Sequence, residues 1–498
     1  MIELRNVRWA YQGGDTAVLD GLDLHIRRGE TVVVCGPSGS GKSSALRLMN
    51  GLIPHFHDGK LEGEVRVAGE PITDLAQVGR VTGTVLQHPR RQFFTDTIDT
   101  ELAFALENFG TPPERIRERV REVVAEFRLD ELDGRLRELS GGQQQRVACA
   151  AAVTHGPPAL LLDEPTSNLS PQGIADLTAI LRHLRERGTT LVIAEHRLHY
   201  LRELADRIVV MQDGRVAKEW CRDEFPSLTE EMMREEGLRS LDAPERVHVA
   251  PASAYGPSVE PGESRPEDTE STSAAGGATA VAPAAGRETA GGETAGGGVV
   301  LRGIRCAFRG RPVLDITEAH LPAGVITAVT GPNGAGKTTL ARVLAGLQRH
   351  SGEVLLDGRT MSRSRRQRET AIVMQDVQRQ LFTDSVTAEL RLGAVPEQAP
   401  HAATVLADLD LDHFDERHPL SLSGGQQQRL VVATARLSGR RVVIFDEPSS
   451  GVDRRHLRSM TRTMRDVAEG GAVVLLISHD ADLLALAADR ELRLRPIG

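Results

Sequence analysis

The hydrophobic positions of this 498-residue chain fall in short runs. Residues 31–35, 159–162 and 191–194 are largely apolar tracts of strand length, and residues 325–330, 442–445 and 472–477 repeat them later in the chain. Tracts of this kind predict strands buried on both faces. Residues 7–11 and 19–26 alternate instead, which predicts strands at the edge of a separate layer. Two stretches carry helical spacing. Residues 113–128 place Ile116, Val120, Val123, Val124 and Phe127 on one face, and residues 143–153 follow a glycine pair. No tract approaches the roughly 20 apolar residues that a membrane span needs.

This pattern occurs twice. The octapeptide Leu139-Ser140-Gly141-Gly142-Gln143-Gln144-Gln145-Arg146 returns unchanged at Leu422-Ser423-Gly424-Gly425-Gln426-Gln427-Gln428-Arg429. Ser140 to Asp163 and Ser423 to Asp446 are both 23 positions, and Asp163 to His196 and Asp446 to His479 are both 33. Such register implies a duplicated unit of a few hundred residues.

Each copy carries the same series of candidate chemical groups. The strand 31–35 runs into Gly36-Pro37-Ser38-Gly39-Ser40-Gly41-Lys42-Ser43, then into the helical residues 44–49, which begin with Ser44. Its counterpart is Gly331-Pro332-Asn333-Gly334-Ala335-Gly336-Lys337-Thr338, followed by Thr339. A strand, a glycine loop and a helix in this order form a P-loop: backbone N–H groups close around phosphates, the lysine neutralises their oxygens, and Ser43 or Thr338 is placed for Mg²⁺. Asp163 and Glu164, like Asp446 and Glu447, end buried strands, so the aspartate is expected to hold Mg²⁺ and the glutamate to polarise a water. Gln87 and Gln375 are expected to contact the metal and water, and His196 and His479 a γ-phosphate. Tyr11 and Phe308 stand where an aromatic ring could stack on adenine, although edge-strand packing explains them about as well.

Composition sharpens two points. Of 60 basic residues only four are lysine, and two of these are Lys42 and Lys337. A compact ammonium fits a ring of amides where a planar guanidinium does not. Four scattered cysteines suit a reducing compartment, and a net charge of −9 offers no general reason to bind nucleic acid. Residues 1–5 lack a basic region followed by an apolar core, so no signal peptide is expected. Residues 242–298 contain no Leu, Ile, Phe, Met, Trp or Cys. They are expected to form a disordered linker, with a reach of about 40 Å, between domains at 1–241 and 299–498.

These motifs resemble the ATP-binding cassette ATPases over both halves, the linker excepted. The resemblance implies an α/β fold: two P-loop domains, each with a RecA-like core, an antiparallel β layer and a helical subdomain bearing the octapeptide. It implies ATP and Mg²⁺ as ligands and intramolecular, head-to-tail pairing of the halves. The first P-loop would then be completed by Ser423, Gly424 and Gly425, and the second by Ser140, Gly141 and Gly142. The loop after each acidic pair would cross to the opposite P-loop, and here the halves differ, with Ser170 facing Asp453. Gln92-Phe93-Phe94-Thr95 and Gln380-Leu381-Phe382-Thr383 resemble the energy-coupling-factor type, which drives import of vitamins and transition-metal ions. That likeness implies exposed apolar side chains at Phe93, Phe94, Leu381 and Phe382. They would form a groove for a transmembrane coupling protein, with a substrate-binding membrane subunit beside it, at the cytoplasmic face of the cell membrane. Two alternatives are a sugar-importer ATPase and a soluble ribosome-associated tandem cassette; the latter carry a charged, helical linker, whereas residues 242–298 are expected to be flexible and acidic-to-neutral.

Overall fold

The computed structural model describes residues 1–13, 16–132, 134–167, 169–242, 250–251, 254–255, 297–308, 310–374, 376–449 and 451–497. The apolar tracts form the centre of each half. In the first, the strands run in the order Arg215–Cys221, Arg207–Gln212, Thr31–Cys35, Thr190–Ala194, Ala159–Asp163, Thr82–Val85. All neighbours are parallel except the first pair. Every residue of Thr31–Cys35 and Thr190–Ala194 is buried, as a parallel sheet covered on both faces requires. The second half repeats the sheet with Arg490–Arg493, Ile326–Thr330, Val473–Ile477, Val442–Asp446 and Thr370–Val373.

The alternating segments form a second layer. Ile2–Tyr11 pairs antiparallel with Leu19–Ile26 and with Gly59–Val67, and Gly298–Phe308 pairs likewise with Arg311–Pro322 and Ser351–Leu356. Its inward side chains, among them Trp9, Leu22 and Ile26, pack with the helix Lys42–Met49 into one core. The helix Pro113–Glu126 buries Ile116 and Val123 as its spacing predicts, with Val120 and Val124 partly covered.

Strand order explains why distant motifs converge. Thr31–Cys35, Thr190–Ala194, Ala159–Asp163 and Thr82–Val85 are consecutive neighbours, and they lead into the P-loop, His196, the acidic pair and Gln87 respectively. All four therefore meet beyond the carboxyl ends of one parallel sheet, where ligands of such sheets bind.

Of the tract expected to be a linker, residues 243–249, 252–253 and 256–296 lie outside the described residues. Within it, Ala250–Pro251 pairs parallel with Arg490 and Glu491, and Ala254–Tyr255 pairs antiparallel with Ala319 and Glu318. The backbone of these four residues extends the two sheets of the second half, even though the tract's composition has no core-forming pattern.

Candidate functional site

In the first half the P-loop is shaped by its backbone. Gly36 has φ 140°, and a Cβ there would lie 2.1 Å from the Met211 carbonyl oxygen, so only glycine fits. The loop closes on Lys42, whose buried ammonium donates to the carbonyls of Gly36 and Pro37 at 2.9 Å each. Burial pulls that ammonium below its ordinary pKa. Ser43 Oγ donates to Asp163 Oδ1 at 3.0 Å. Burial, and then the neighbouring Glu164, push the Asp163 carboxyl up to about 6. A hydroxyl and a carboxylate held together in this way are the hard oxygen donors that suit Mg²⁺, and a dication would relieve the strain of the buried acid pair.

Glu164 sits at φ 45°, a left-handed conformation rare for a residue with a Cβ. Its N–H donates to the Ala194 carbonyl at 2.8 Å, and its carboxylate accepts from Gln87 Nε2 at 2.9 Å. His196 Nε2 stands 3.4 Å from the other carboxylate oxygen. Burial would raise this carboxyl, but the His196 hydrogen bond and charge outweigh it, and the group lies below its ordinary value. Gln87, expected at the metal, thus faces the glutamate.

The second half repeats the frame with different electrostatics. Lys337 Nζ donates to Gly331 and Pro332 carbonyls at 2.7 and 3.1 Å. Burial raises Asp446, opposed by a hydrogen bond from Thr338. Glu447 repeats the left-handed backbone at φ 53° and the N–H bond, here to Ile477. Its histidine is farther away, however, with His479 Nε2 at 3.9 Å. Burial dominates and pushes Glu447 up to about 7, and burial with Lys337 and Arg197 nearby pushes His479 down to about 4. Gln375 lies outside the described residues.

The halves meet head to tail. A cavity of about 700 Å³ lies between Gly334, Gly336, Lys337, Thr338, Thr339, Glu447 and His479 of the second half and Ser140 and Gly141 of the first. A pocket of this size suits a nucleotide-sized ligand. Gly142 lies on the same first turn, under the Ser140 cap. On the other side the P-loop is closed more tightly. Asp453 Oδ2 accepts from the Ser38 N–H at 2.6 Å, and a Cβ on Gly425 would lie 3.8 Å from Ser38 Oγ. Gly451, at φ 68°, packs so closely that a Cβ there would meet Gln87 Nε2 and Glu164 Oε2 at 2.8 Å. Ser170, at the position of Asp453, accepts from the Asn333 side chain at 3.4 Å. Both octapeptide serines cap their helices, Gly141–Val153 and Gly424–Leu437, with reciprocal bonds to Gln143 and Gln426. Those helices begin two residues earlier than periodicity suggests, because the glycines already belong to the first turn.

The two aromatic positions are not equivalent. Tyr11 is half-buried, its hydroxyl 3.0 Å from Ser44 Oγ and its ring edge-on to Trp9 and His57, whereas Phe308 is 64% exposed. The four apolar side chains expected at the surface divide as well. Phe94 and Phe382 are 73% and 76% exposed, but Leu381 is buried and Phe93 packs against the core. The cause is a turn pinned from inside: Glu101 accepts from the Phe94 and Thr95 amides and the Thr95 hydroxyl, and Glu389 does the same for Phe382 and Thr383. Successive residues then point opposite ways, so only the second of each pair faces out.

Other residues at the site escaped the sequence reading. Arg197 and Asp480 follow the two histidines and face each other at 3.4 Å. Arg239, buried, donates to Asp480 at 2.7 Å and to the Val452 carbonyl at 2.6 Å. Aligning the halves residue by residue around each histidine would have shown Glu195-His196-Arg197 against Ser478-His479-Asp480. Nothing in the sequence marks Arg239.

The chain is similar to several known proteins. The ABC transporter family matches residues 19–167 and 314–450. A Treponema denticola protein, provisionally named an ABC transporter ATP-binding protein, is 38% identical over 99% of this chain and 95% of its own length. A Bacillus subtilis protein, provisionally named an HMP/thiamine import ATP-binding protein, is 30% identical over 100% of this chain and 90% of its own. Among solved structures, cbiO1 of Clostridium perfringens, described as part of the ABC transporter complex cbiONQ, aligns with a TM-score of 0.41 and 27% identity over 47% of this chain and 93% of that one. Since each matched region spans one P-loop, one octapeptide and one acidic pair, this chain belongs to the ABC transporter family, as an ATP-binding protein with two ABC domains in tandem.

Proposed function

We propose that this chain is the ATP-hydrolysing energy-coupling subunit of an ECF-type importer of a vitamin or a transition-metal ion. It would work at the cytoplasmic face of the membrane with a transmembrane coupling protein and a substrate-binding membrane subunit. Among the described residues no helix is long and apolar enough to cross a membrane, so in this reading translocation falls to those partners. The observation that carries the reading is the pair of outward phenylalanines, Phe94 and Phe382, each fixed by a buried glutamate close to the nucleotide site. Exposed aromatics on pinned turns suit the apolar face of a partner helix. The import function in the name of the Bacillus subtilis relative supports the direction.

In this mechanism the loops around Lys42 and Lys337 bind the phosphates of two ATP molecules. Ser43 with Asp163, and Thr338 with Asp446, would hold Mg²⁺, which when bound draws charge from the transferring phosphate. Glu164 and Glu447 orient the attacking water, and His196 and His479 hold those glutamates and the γ-phosphate in line. Each ATP also touches the opposite half, at Ser423–Gly425 or Ser140–Gly142. The nucleotide thus bridges two helix N-termini, and hydrolysis removes the bridge.

The test is purification of the tagged chain from detergent-solubilised membranes of its own host, followed by substrate uptake in vesicles holding the complex. Co-purifying small integral membrane proteins and ATP-dependent uptake are expected. Recovery with ribosomes instead would overturn the reading.

A further inference from the structure

The loop after each acidic pair ends in the N-cap of a long helix, Ser170 before Pro171–Glu186 and Asp453 before Arg454–Glu469. The two caps are wired differently. Ser170 Oγ accepts from the Gly173 N–H at 3.3 Å and, across the interface, from the Asn333 side chain at 3.4 Å. Asp453 is 1% exposed and divides its carboxylate. Oδ1 accepts from the His456 N–H at 2.9 Å, while Oδ2 accepts from Ser38 N–H of the opposite half at 2.6 Å.

The same carboxylate also faces an imidazole. His456, buried, has Nδ1 at 2.8 Å from both Asp453 oxygens and Nε2 at 3.4 Å from Asp410 Oδ2. A carboxylate offers only acceptors, so each ring nitrogen must donate its N–H, Nδ1 to Asp453 and Nε2 to Asp410, and a ring bonded through both nitrogens has a fixed plane. Arg429 lies buried nearby and adds positive charge toward Asp453 and Asp410. Among the described residues the first half lacks this arrangement. Gly173 stands where His456 does, both three residues beyond the cap. Arg128 stands where Asp410 does, each left-handed at φ 51° and 56° and each followed by a buried leucine. Three linked positions therefore differ together: Asp453, His456 and Asp410 against Ser170, Gly173 and Arg128.

We propose that His456, oriented by Asp410, is a positioning residue that locks the Asp453 carboxylate onto the Ser38 amide and so stiffens closure of the first ATP site alone. The role rests on the composite-site reading above. Capping of the helix requires only one carboxylate oxygen, so the imidazole is needed for the cross-half contact and not for the helix.

The test uses the full chain. His456→Ala is expected to raise deuterium uptake by about one amide in peptides spanning residues 36–43, with no change in residues 331–338. His456→Asn, which retains a donor near the Nδ1 position, is expected to restore protection. Steady-state turnover supplies the second readout. In a Glu447→Gln background, where only the first site turns over, His456→Ala is expected to cost about tenfold, as loss of one charge-assisted hydrogen bond would. In a Glu164→Gln background it is expected to change turnover less than about twofold. Equal effects at both P-loops, or none at the first, overturn the positioning role. If neither Glu→Gln substitution alone lowers turnover, the composite-site reading fails and this inference with it. Exchange needs no turnover, so it decides even where one Glu→Gln silences both sites.

Discussion

Arg197 and Asp480 occupy equivalent places, one residue beyond His196 and His479, and they meet each other across the interface at 3.4 Å. Duplicated halves that had stayed identical here would set like against like. Opposite charges at a shared position instead favour pairing of one half with the other, and Arg239 adds a second guanidinium on the same carboxylate. Desolvation alone would raise Asp480, but Arg239 and Arg197 hold it well below the usual carboxylate range.

That depression has a pH consequence. A carboxyl with a lower pKa folded than unfolded adds stability above its unfolded value, near ~4, and loses it as pH falls toward the folded value. Asp480→Asn is expected to lower stability at pH 7 by about 3 kcal/mol, because Arg197 and Arg239, both buried, lose the carboxylate they share, although Arg239 keeps Asp482. The same substitution should flatten the acid limb below about pH 4. Denaturant midpoints measured across pH 3–7 check both; a variant that tracks the parent throughout would show that the pair does not hold the halves.

The two nucleotide sites should turn over at different rates. Asp453 brings a carboxylate to Ser38, while Ser170 brings a neutral hydroxyl to Asn333. Removing a water-polarising carboxylate typically costs about 10²–10⁴-fold at its own site. Glu164→Gln is therefore expected to depress total ATPase more than Glu447→Gln. Equal losses, or a larger loss from Glu447→Gln, would contradict the asymmetry.

Only the outward member of each aromatic segment should matter for a membrane partner. Phe94→Ser with Phe382→Ser is expected to release the partner, each lost apolar burial being worth roughly 1.5–3 kcal/mol, and to leave ATP binding intact. Phe93→Ser or Leu381→Ser should instead lower the thermal midpoint, since these side chains face the core. Pull-down from solubilised membranes and thermal unfolding separate the two effects.

Chelating Mg²⁺ is expected to abolish hydrolysis while the fold persists. Ser43→Ala removes the hydroxyl beside Asp163 and should raise the half-saturating Mg²⁺ concentration by about tenfold or more at the first site. A Mg²⁺ titration of ATPase in a Glu447→Gln background would read this directly, and an unchanged midpoint would remove Ser43 from the metal set.

Much of this molecule is written locally. Buried strands announce themselves as largely apolar tracts because both faces of a parallel sheet are covered. A P-loop needs glycines wherever its backbone crowds a neighbouring carbonyl, so its spacing survives in any sequence that forms one. Duplication supplied the rest, since two copies in constant register make weak single residues such as His196 and His479 interpretable. The contacts that distinguish the halves depend on what folding brings together. Phe93 and Phe94 are adjacent and similar in sequence, and only the turn pinned by Glu101 sends one inward and the other out. His456 reads as an ordinary polar residue at a helix start, and Asp453 stands out only through the family resemblance. Their meaning comes from Ser38, 415 positions away, and from Asp410 behind them. Pairing across an interface depends on distance and burial in three dimensions, and neither has a period along the chain.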